Sequence, residues 1–181
     1  MLERVSFSGQ HLELSRIVSH HTDVESALKL YFSPSSPDYV VRFADYVASE
    51  VGNELLDRLD EHERWTIFSI LSAVEAAFRI DYLQRNYKKK KDPLSRELRA
   101  LHKRKGSRAS LEDDIFDAWK KRTSVPGRLI EDLKGAFKYR HWLAHGRYWE
   151  PKLGRRYDYD GVYILAKTVF SSFPLEGAEP H

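Results

Sequence analysis

The fold of this 181-residue chain is decided by the stretch Trp65-Thr66-Ile67-Phe68-Ser69-Ile70-Leu71-Ser72-Ala73-Val74-Glu75-Ala76-Ala77-Phe78-Arg79-Ile80-Asp81-Tyr82-Leu83. It lies inside residues 62–88, the strongest helical pattern in the sequence, where apolar side chains wrap most of the circumference of an ideal helix. A helix that is apolar on nearly every side is covered by its neighbours. Residues 62–88 are therefore predicted to form the central helix of an all-α bundle.

A second helix is predicted over residues 128–145, and it carries an arginine among its apolar residues. Counted from Leu129 at about 100° per residue, Arg140 falls in the middle of the stripe that faces the core, which consists of Leu133, Ala136, Phe137, Leu143 and Ala144, with Ile130 at its margin. An isolated buried guanidinium is very costly, so Arg140 is expected to pair with a carboxylate. His141 and His145 fall at the edge of the stripe, one turn apart, where solvent or a ligand can reach them.

Two acidic residues of the central helix are the best candidates for that carboxylate. Asp81 is the more deeply placed, among Ile67, Ile70, Val74 and Phe78, and Glu75 lies between Phe68 and Tyr82. Either one can instead pair within its own helix at i,i+4 spacing, Glu75 with Arg79 and Asp81 with Arg85. The sequence leaves both pairings open, and Asp81, Glu75 and Arg79 are predicted to support Arg140.

Arg140 and His145 supply the two groups that phosphodiester cleavage without a metal requires. A fixed cation stabilises charge on the phosphate, and an imidazole can move protons near neutral pH. On one ideal helix the two residues lie about 140° apart, so two chains related by a two-fold axis converge them on one phosphate more easily than a single chain does. The simpler interpretation is a structural ion pair and a histidine that caps the helix.

These residues resemble the HEPN superfamily, whose members are mostly all-α domains and often metal-independent endoribonucleases with an R-x4-6-H motif. Here the motif spans residues 140–145 and has His141 in the position after the arginine, which is usually polar in the family. Residues 75–82 and 144–149 look closest to HEPN domains of the RiboL-PSP type, which are associated with RNA processing and with prokaryotic conflict or toxin systems. The resemblance covers roughly residues 40–170.

The resemblance implies a role for each motif residue. Arg140 would bind the scissile phosphate, His145 would act as general acid or base, and His141 would support or polarise the site. The RNA 2′-hydroxyl would attack and leave a 2′,3′-cyclic phosphate, and two copies would line one cleft as a homodimer. Some HEPN toxins carry a tyrosine two residues after the histidine, whereas here Arg147 holds that place and Tyr148 follows it.

Basic residues near the middle of the chain are predicted to attract RNA. Residues 85–108 hold eleven Lys or Arg and two acids, so the segment carries +9 and the rest of the chain −6. Such a field attracts phosphate backbones without reading sequence, although a solubilising surface segment has the same composition. Beside the motif, Tyr148 can stack on an unpaired base or can simply be a core or dimer contact. The predicted RNA-binding residues are Lys88, Lys89, Lys90, Lys91, Arg147 and Tyr148.

We expect no metal and no cofactor. His141 and His145 have the spacing of metal ligands, but Trp142 stands where an H-E-x-x-H hydrolase needs its glutamate. A third ligand is not apparent nearby, although His102 or His181 stays open. The chain also lacks a Gly-rich phosphate loop, which argues against an NTPase or a dinucleotide enzyme.

The composition favours one cytoplasmic domain. There are no cysteines, which excludes disulfides and cysteine-ligated zinc and is compatible with a reducing cytoplasm. The first residues lack the apolar run of a signal peptide, and Glu75 interrupts the longest apolar stretch. The predicted parts are an N-terminal extension with a first helix at 1–36, a HEPN-like bundle at 37–173 and a disordered tail at 174–181.

Local signals predict the remaining elements. Weak alternation around Gly9 and the loop at 151–160 each allow a small β-hairpin. Before the central helix, one helix is predicted near 23–32, capped by Thr22 and Glu25, and another from Pro37 to about Leu59, packed antiparallel to the central helix. After it, one helix is predicted from Pro93 to Gly106 and one from a cap at Ser110 to near Arg122. The motif helix, capped by Ser124, and a last helix near 161–171 complete the set.

The sequence therefore predicts a metal-independent endoribonuclease that acts on RNA as a homodimer. A cognate antitoxin or another protein partner is a further expectation. The alternative is a non-catalytic HEPN-like module that binds RNA or a partner protein through the basic segment and Trp142. Trp142 falls on the far side of the motif helix, where an exposed tryptophan indicates a partner surface.

Overall fold

The computed structural model describes residues 5–177, and these residues form seven α-helices and no strand. The helices are α1 (Leu14–Tyr31), α2 (Tyr39–Arg42), α3 (Ala48–Tyr87), α4 (Pro93–Lys105), α5 (Phe116–Arg122), α6 (Gly127–Ala144) and α7 (Tyr159–Ser172). A 3-10 turn at Gly106–Arg108 and a π-helical turn at Leu111–Ile115 connect α4 to α5. The all-α prediction is confirmed. The hairpin predicted at 151–160 is absent, and so is the one near Gly9 as far as its described residues extend.

The central helix is longer than predicted. α3 contains 40 residues in one piece, about 60 Å at 1.5 Å per residue. The predicted antiparallel pair that divides near Leu59 is wrong, because no proline and no glycine follows Gly52 within the helix to stop it. Glu50 fixes the first turn by accepting the backbone N–H of Val47 at 2.9 Å.

The core surrounds the second half of α3. Ile70, Val74 and Phe78 have no exposed surface, and Phe78 meets the rings of Phe116 and Trp119 edge-on. Helices α4, α6 and α7 pack against α3, and α5 packs against both α4 and α6. Within residues 5–177 no helix is both long and apolar enough to span a membrane.

The first half of α3 extends away from this core with α1 packed along it. Its far end, residues 30–60, is called the arm below, and it comprises the end of α1, α2 and the start of α3. Five aromatic rings pack on one another there and hold α2 in place. These rings belong to Tyr31, Phe32, Tyr39, Phe43 and Tyr46.

The first helix begins nine residues earlier than predicted. Thr22 lies inside α1 and donates its hydroxyl to the carbonyl of Val18 at 3.1 Å, so it caps nothing. No glycine or proline stands between Gly9 and Pro34, which leaves the polar residues around Thr22 free to continue the helix.

The elements after the central helix follow the predictions closely. Asp92 caps α4 by accepting the N–H of Ser95 at 2.9 Å, and Gly106 ends that helix at a φ of 60°. Ser110 caps the turn that leads into α5 by accepting the N–H of Asp113. The motif helix α6 starts after Pro126, and the cap predicted at Ser124 is wrong.

The residues after α7 are held against the core. The carbonyl of Pro174 accepts from Arg85 at 2.8 Å, and the backbone N–H of Glu176 donates to Asp81 at 2.7 Å. The side chain of Glu176 pairs with Lys88 and Lys90. The predicted disorder is therefore wrong for residues 174–177, and the rest of that predicted tail lies outside the described residues.

A buried ion pair joins α3 to this C-terminal segment. Arg85 Nε lies 2.7 Å from Asp81 Oδ1, and less than a tenth of either side chain is exposed. Burial raises the pKa of Asp81 to about 6, against the pull of Arg85 and of the N–H of Glu176. The attraction to Arg85 offsets part of the free-energy cost of burying the carboxylate. If one partner is removed, the other stays buried as an unpaired charge, and the full cost of its burial lowers the stability of the fold.

We expect Arg85→Gln to lower the free energy of unfolding by about 3–5 kcal/mol, because it leaves the Asp81 carboxylate without its cation. The measurement is urea denaturation near neutral pH. The matched control is Arg58→Gln, which removes the exposed i,i+4 pair with Glu54 from the same helix and should cost less than about 0.5 kcal/mol. Equal losses in the two variants would contradict the assignment of Asp81–Arg85 as a buried pair.

A stack of rings holds α1 against α3 and α7. The imidazole of His21 lies between the rings of His62, at 4.8 Å, and Tyr159, at 4.0 Å, and its Nδ1 lies 3.0 Å from the Thr66 hydroxyl. Burial, helped by His62, lowers the pKa of His21 below its ordinary 6.5. The carboxylates that face His21 and oppose this shift are Glu25 on α1, Glu63 on α3 and Asp160 on α7.

Because folding lowers the pKa of His21, the unfolded chain takes up the proton more readily. The resulting stabilisation is complete above pH 6.5 and is lost as the pH falls through the lower folded-state pKa. We expect the urea midpoint to drop between about pH 7.5 and about pH 5.5, and to drop less in His21→Phe, which keeps a ring in the stack. Asp81, with its raised pKa, acts in the opposite direction in both proteins. An identical drop in the two proteins would show that His21 is not the responsible group.

Candidate functional site

Arg140 reaches from the last turns of α6 to the middle of α3. Its Nη1 lies 3.0 Å from Glu75 Oε2, its Nε donates to the Ser72 hydroxyl at 3.3 Å, and its guanidinium lies 5.1 Å from the centre of the Phe68 ring. The side chain is 26% exposed. The predicted carboxylate partner is therefore present, and the arginine sits at the margin of the core with part of its surface open to solvent.

Glu75 is that partner, and the pairing of Arg140 with Asp81 is wrong. Asp81 lies six residues further along α3, about 9 Å along the axis, where Arg85 takes it. Glu75 also accepts from Arg79 Nε at 2.8 Å, so both pairings that the sequence allowed for Glu75 occur together. One carboxylate is thus shared by two guanidiniums, and the cluster of Glu75, Arg79 and Arg140 keeps a formal charge of +1.

The C-terminal end of α6 departs from the predicted stripe. Leu143 is only partly buried and Ala144 is exposed, whereas Tyr139 is buried. Trp142 is also partly buried, since it stacks on Tyr139 and its Nε1 donates to the carbonyl of Trp149 at 2.6 Å. The prediction that Trp142 forms an exposed partner surface is therefore wrong.

The chain covers Trp142 by turning back immediately after the motif. Gly146 has a φ of 79° and Arg147 a φ of 59°, two consecutive left-handed residues. The N–H of Arg147 donates to the carbonyl of Trp142, and its guanidinium makes two hydrogen bonds to Glu61, at 2.6 and 3.0 Å. These bonds hold an arginine in a conformation that favours glycine, and they lower the pKa of Glu61.

Both motif histidines are exposed at the end of α6. The rings of His141 and His145 lie 4.2 Å apart, and His141 also lies 6.0 Å from the ring of Trp149. The backbone N–H of His145 caps the helix on the carbonyl of His141. Among residues 5–177, no hydrogen bond or ring contact joins Arg140 to either imidazole.

The predicted RNA-binding residues fall into two separate places. Beside the motif, Tyr148 is 84% exposed with its ring edge-on to Trp149. The guanidinium of Arg147 is paired with the carboxylate of Glu61. The run of four lysines at 88–91 follows the end of α3, about 20 Å along the helix axis from Glu75. Lys88 and Lys90 pair with the carboxylate of Glu176, and Lys89 and Lys91 are exposed. The structure does not bring the lysine run to the motif.

Two side chains near the motif were missed by the sequence reasoning. Nothing in the sequence marks Ser72 as a partner of Arg140. Its hydroxyl donates to the carbonyl of Phe68 at 2.7 Å and accepts from Arg140 Nε at 3.3 Å. Glu112 reads as an ordinary acid in the first turn after the Ser110 cap. Burial raises the pKa of Glu112, with Asp113 adding to the shift and with Lys138, Lys134 and His141 opposing it, which places this carboxylate within electrostatic reach of His141.

Residues 5–177 contain no cluster of three or more histidine or acidic side chains that could hold a metal ion. His141 and His145 form a pair without a third ligand from that part of the chain. His181, which the sequence left open as a ligand, lies outside the described residues.

Comparison with known proteins returned no match. No protein-family model, no curated protein and no solved structure matches this chain. The resemblance to HEPN domains therefore depends on the motif and on the residues of α3 that meet it.

Proposed function

We propose that this protein is a metal-independent endoribonuclease of the HEPN type. The observation that carries the proposal is the shared carboxylate at Glu75, which anchors Arg140 and Arg79 and leaves their cluster with one positive charge. Two exposed imidazoles stand at the end of the same helix that carries Arg140. A positioned cation and accessible proton-transfer groups are what cleavage by the RNA 2′-hydroxyl demands.

The proposed reaction is an internal transfer at phosphorus. The 2′-oxygen of the RNA forms a bond to the phosphate while its proton passes to a base, and the bond to the 5′-oxygen of the next nucleotide breaks as that oxygen receives a proton. The products are a 2′,3′-cyclic phosphate and a 5′-hydroxyl. His145 moves a proton, His141 supports it, and Arg140 stabilises the negative charge on the non-bridging oxygens.

The proposed active unit is a homodimer. Arg140 faces α3 while His141 and His145 face solvent, so one copy presents the cation and the imidazoles in different directions. A two-fold axis beside the end of α6 would let the imidazoles of one copy complete the site that Arg140 begins in the other. Such an enzyme would act on cytoplasmic RNA, and a toxin of this type would need a cognate antitoxin as a further partner.

A second candidate is a non-catalytic module that binds RNA or a protein. It is favoured by the contacts of Arg140, which pairs with Glu75 and Ser72 and touches neither histidine. Such a module would bind RNA in a salt-sensitive way without producing cyclic phosphate ends.

His145→Ala should reduce RNA cleavage by about 10²–10⁴-fold and leave the helical content unchanged, because it removes only an exposed proton-transfer group. Arg140→Ala should reduce cleavage comparably and also lower stability, since it strands part of the charge of Glu75. The assay incubates purified protein with single-stranded RNA in EDTA and analyses the product ends for cyclic phosphate.

The controls are His20→Ala, another exposed histidine, and Arg128→Ala, an exposed arginine on α6. Both should cleave RNA like the parent. If His145→Ala and Arg140→Ala are as active as these controls, the catalytic assignment is wrong. If neither the parent nor any variant cleaves RNA, and all of them bind it, the non-catalytic module is the better description.

Tyr148→Ala should weaken RNA binding by about 5- to 150-fold, because stacking of one base on an aromatic ring contributes about 1–3 kcal/mol. Tyr46→Ala, which removes an exposed tyrosine of the arm, serves as the control. Binding is measured by fluorescence anisotropy with a labelled single-stranded oligonucleotide at fixed salt. Equal affinity in both variants would show that Tyr148 does not contact RNA.

A further inference from the structure

The arm carries most of the exposed apolar side chains of the described chain. Val41 is 85% exposed and Val40 77% exposed, although both are large apolar residues on a helix. Seven such side chains lie within the arm, namely Leu30, Tyr31, Val40, Val41, Tyr46, Val47 and Leu56. A concentration of this kind on a soluble domain is typical of a surface that another molecule covers.

The arm presents these side chains on a fixed base. The five packed rings described above lie beneath α2, and Arg42 lies 3.8 Å from the centre of the Tyr31 ring while it donates to the Tyr31 carbonyl. α2 has only four residues, so these contacts rather than helix propensity hold Val40 and Val41 outward. A preorganised apolar surface loses little side-chain freedom when it binds.

The charge of the arm identifies what can cover it. Six carboxylates and two arginines give residues 30–60 a formal charge of −4. Residues 85–108, which begin at the opposite end of α3 and include α4, carry +9. The two regions lie at the two ends of a helix about 60 Å long, so they cannot meet within one chain.

We propose that the arm docks on the basic segment, residues 85–108, of a second copy of this chain, and that two copies pair antiparallel along α3. The pairing is closed and two-fold, since each copy supplies one arm and one basic segment. Apolar partners for the valines are available at the basic end. Val5 and Phe7 are 41% and 42% exposed, and both contact Tyr87 beside that segment.

The antiparallel pairing also determines where the symmetry axis passes. If the start of α3 in one copy lies opposite its end in the other, the axis crosses near the midpoint of the helix, between Ile67 and Phe68. Trp65 is 59% exposed in this region, and Arg140 packs on Phe68. The pairing thus gives the exposed tryptophan a neighbour. It is measured by association without RNA, so a failure of the pairing and a failure of cleavage are recorded separately.

Charge reversal tests the pairing directly. Asp45→Lys with Asp57→Lys alters two exposed acids of the arm. Arg96→Glu with Lys103→Glu alters two exposed bases that lie two turns apart on one face of α4. The parent should sediment as a concentration-dependent dimer, and each double variant should associate at least about tenfold more weakly, because like charges then face each other. Mixing the two variants should restore the dimer, since both contacts of the mixed pair are again complementary.

The control is Glu131→Lys with Glu150→Lys, which changes the net charge by the same amount as the arm variant at exposed positions outside it. It should dimerise like the parent. Val40→Ser with Val41→Ser should weaken the dimer without changing any charge, and its helical content should stay that of the parent.

Several results would overturn the proposal. A parent that stays monomeric at all concentrations has no such pairing. A dimer that survives both charge reversals uses another surface. If the arm variant associates as tightly with the parent as with the basic-segment variant, the arms meet each other instead, because both of those partners carry the same unaltered arm. As a positional check, Val41→Cys mixed with Phe7→Cys should form a crosslink with a short bismaleimide. Only the two introduced thiols can react, because the chain has no cysteine of its own.

Discussion

The unbroken length of α3 sets every long-range relation in this molecule. Its second half supplies Ile70, Val74 and Phe78 to the core, and its first half extends beyond that core with α1 beside it. The same length separates an acidic, apolar end from a basic end and keeps the lysine run about 20 Å from Glu75. Had the helix broken near Leu59, the first half would have folded back on the core and the arm would not exist.

The sequence predicts what is decided locally and misses what depends on packing offsets. Asp92 and Gly106 bound α4 as expected, because a cap and a left-handed glycine act on adjacent residues. The need of Arg140 for a carboxylate was also predictable. The choice of Glu75 over Asp81 was not predictable. The two carboxylates lie about 9 Å apart along α3 and about 120° apart around it, and only the packing of α6 against α3 decides which of them Arg140 meets.

The end of α6 shows a different limit of helical periodicity. An angular count treats Trp142 as exposed because it considers the helix alone. The chain reverses at Gly146 and Arg147, and Trp149 then returns to cover the indole. That reversal depends on Glu61, which holds Arg147 from a distance of 86 residues in sequence. It also leaves Tyr148 exposed between two contacts that anchor its neighbours.

The contacts of Arg140 bear on whether a carboxylate partner prevents phosphate binding. A guanidinium has five N–H donors in a fixed plane, and Glu75 and Ser72 engage donors on Nη1 and Nε. Within residues 5–177 Nη2 makes no hydrogen bond, and about a quarter of the side chain is exposed. Glu75 must also satisfy Arg79, so it cannot fully neutralise both cations. A phosphate can therefore join the cluster without displacing Glu75, and the carboxylate then acts as the group that fixes the direction of the guanidinium rather than as a competitor for it.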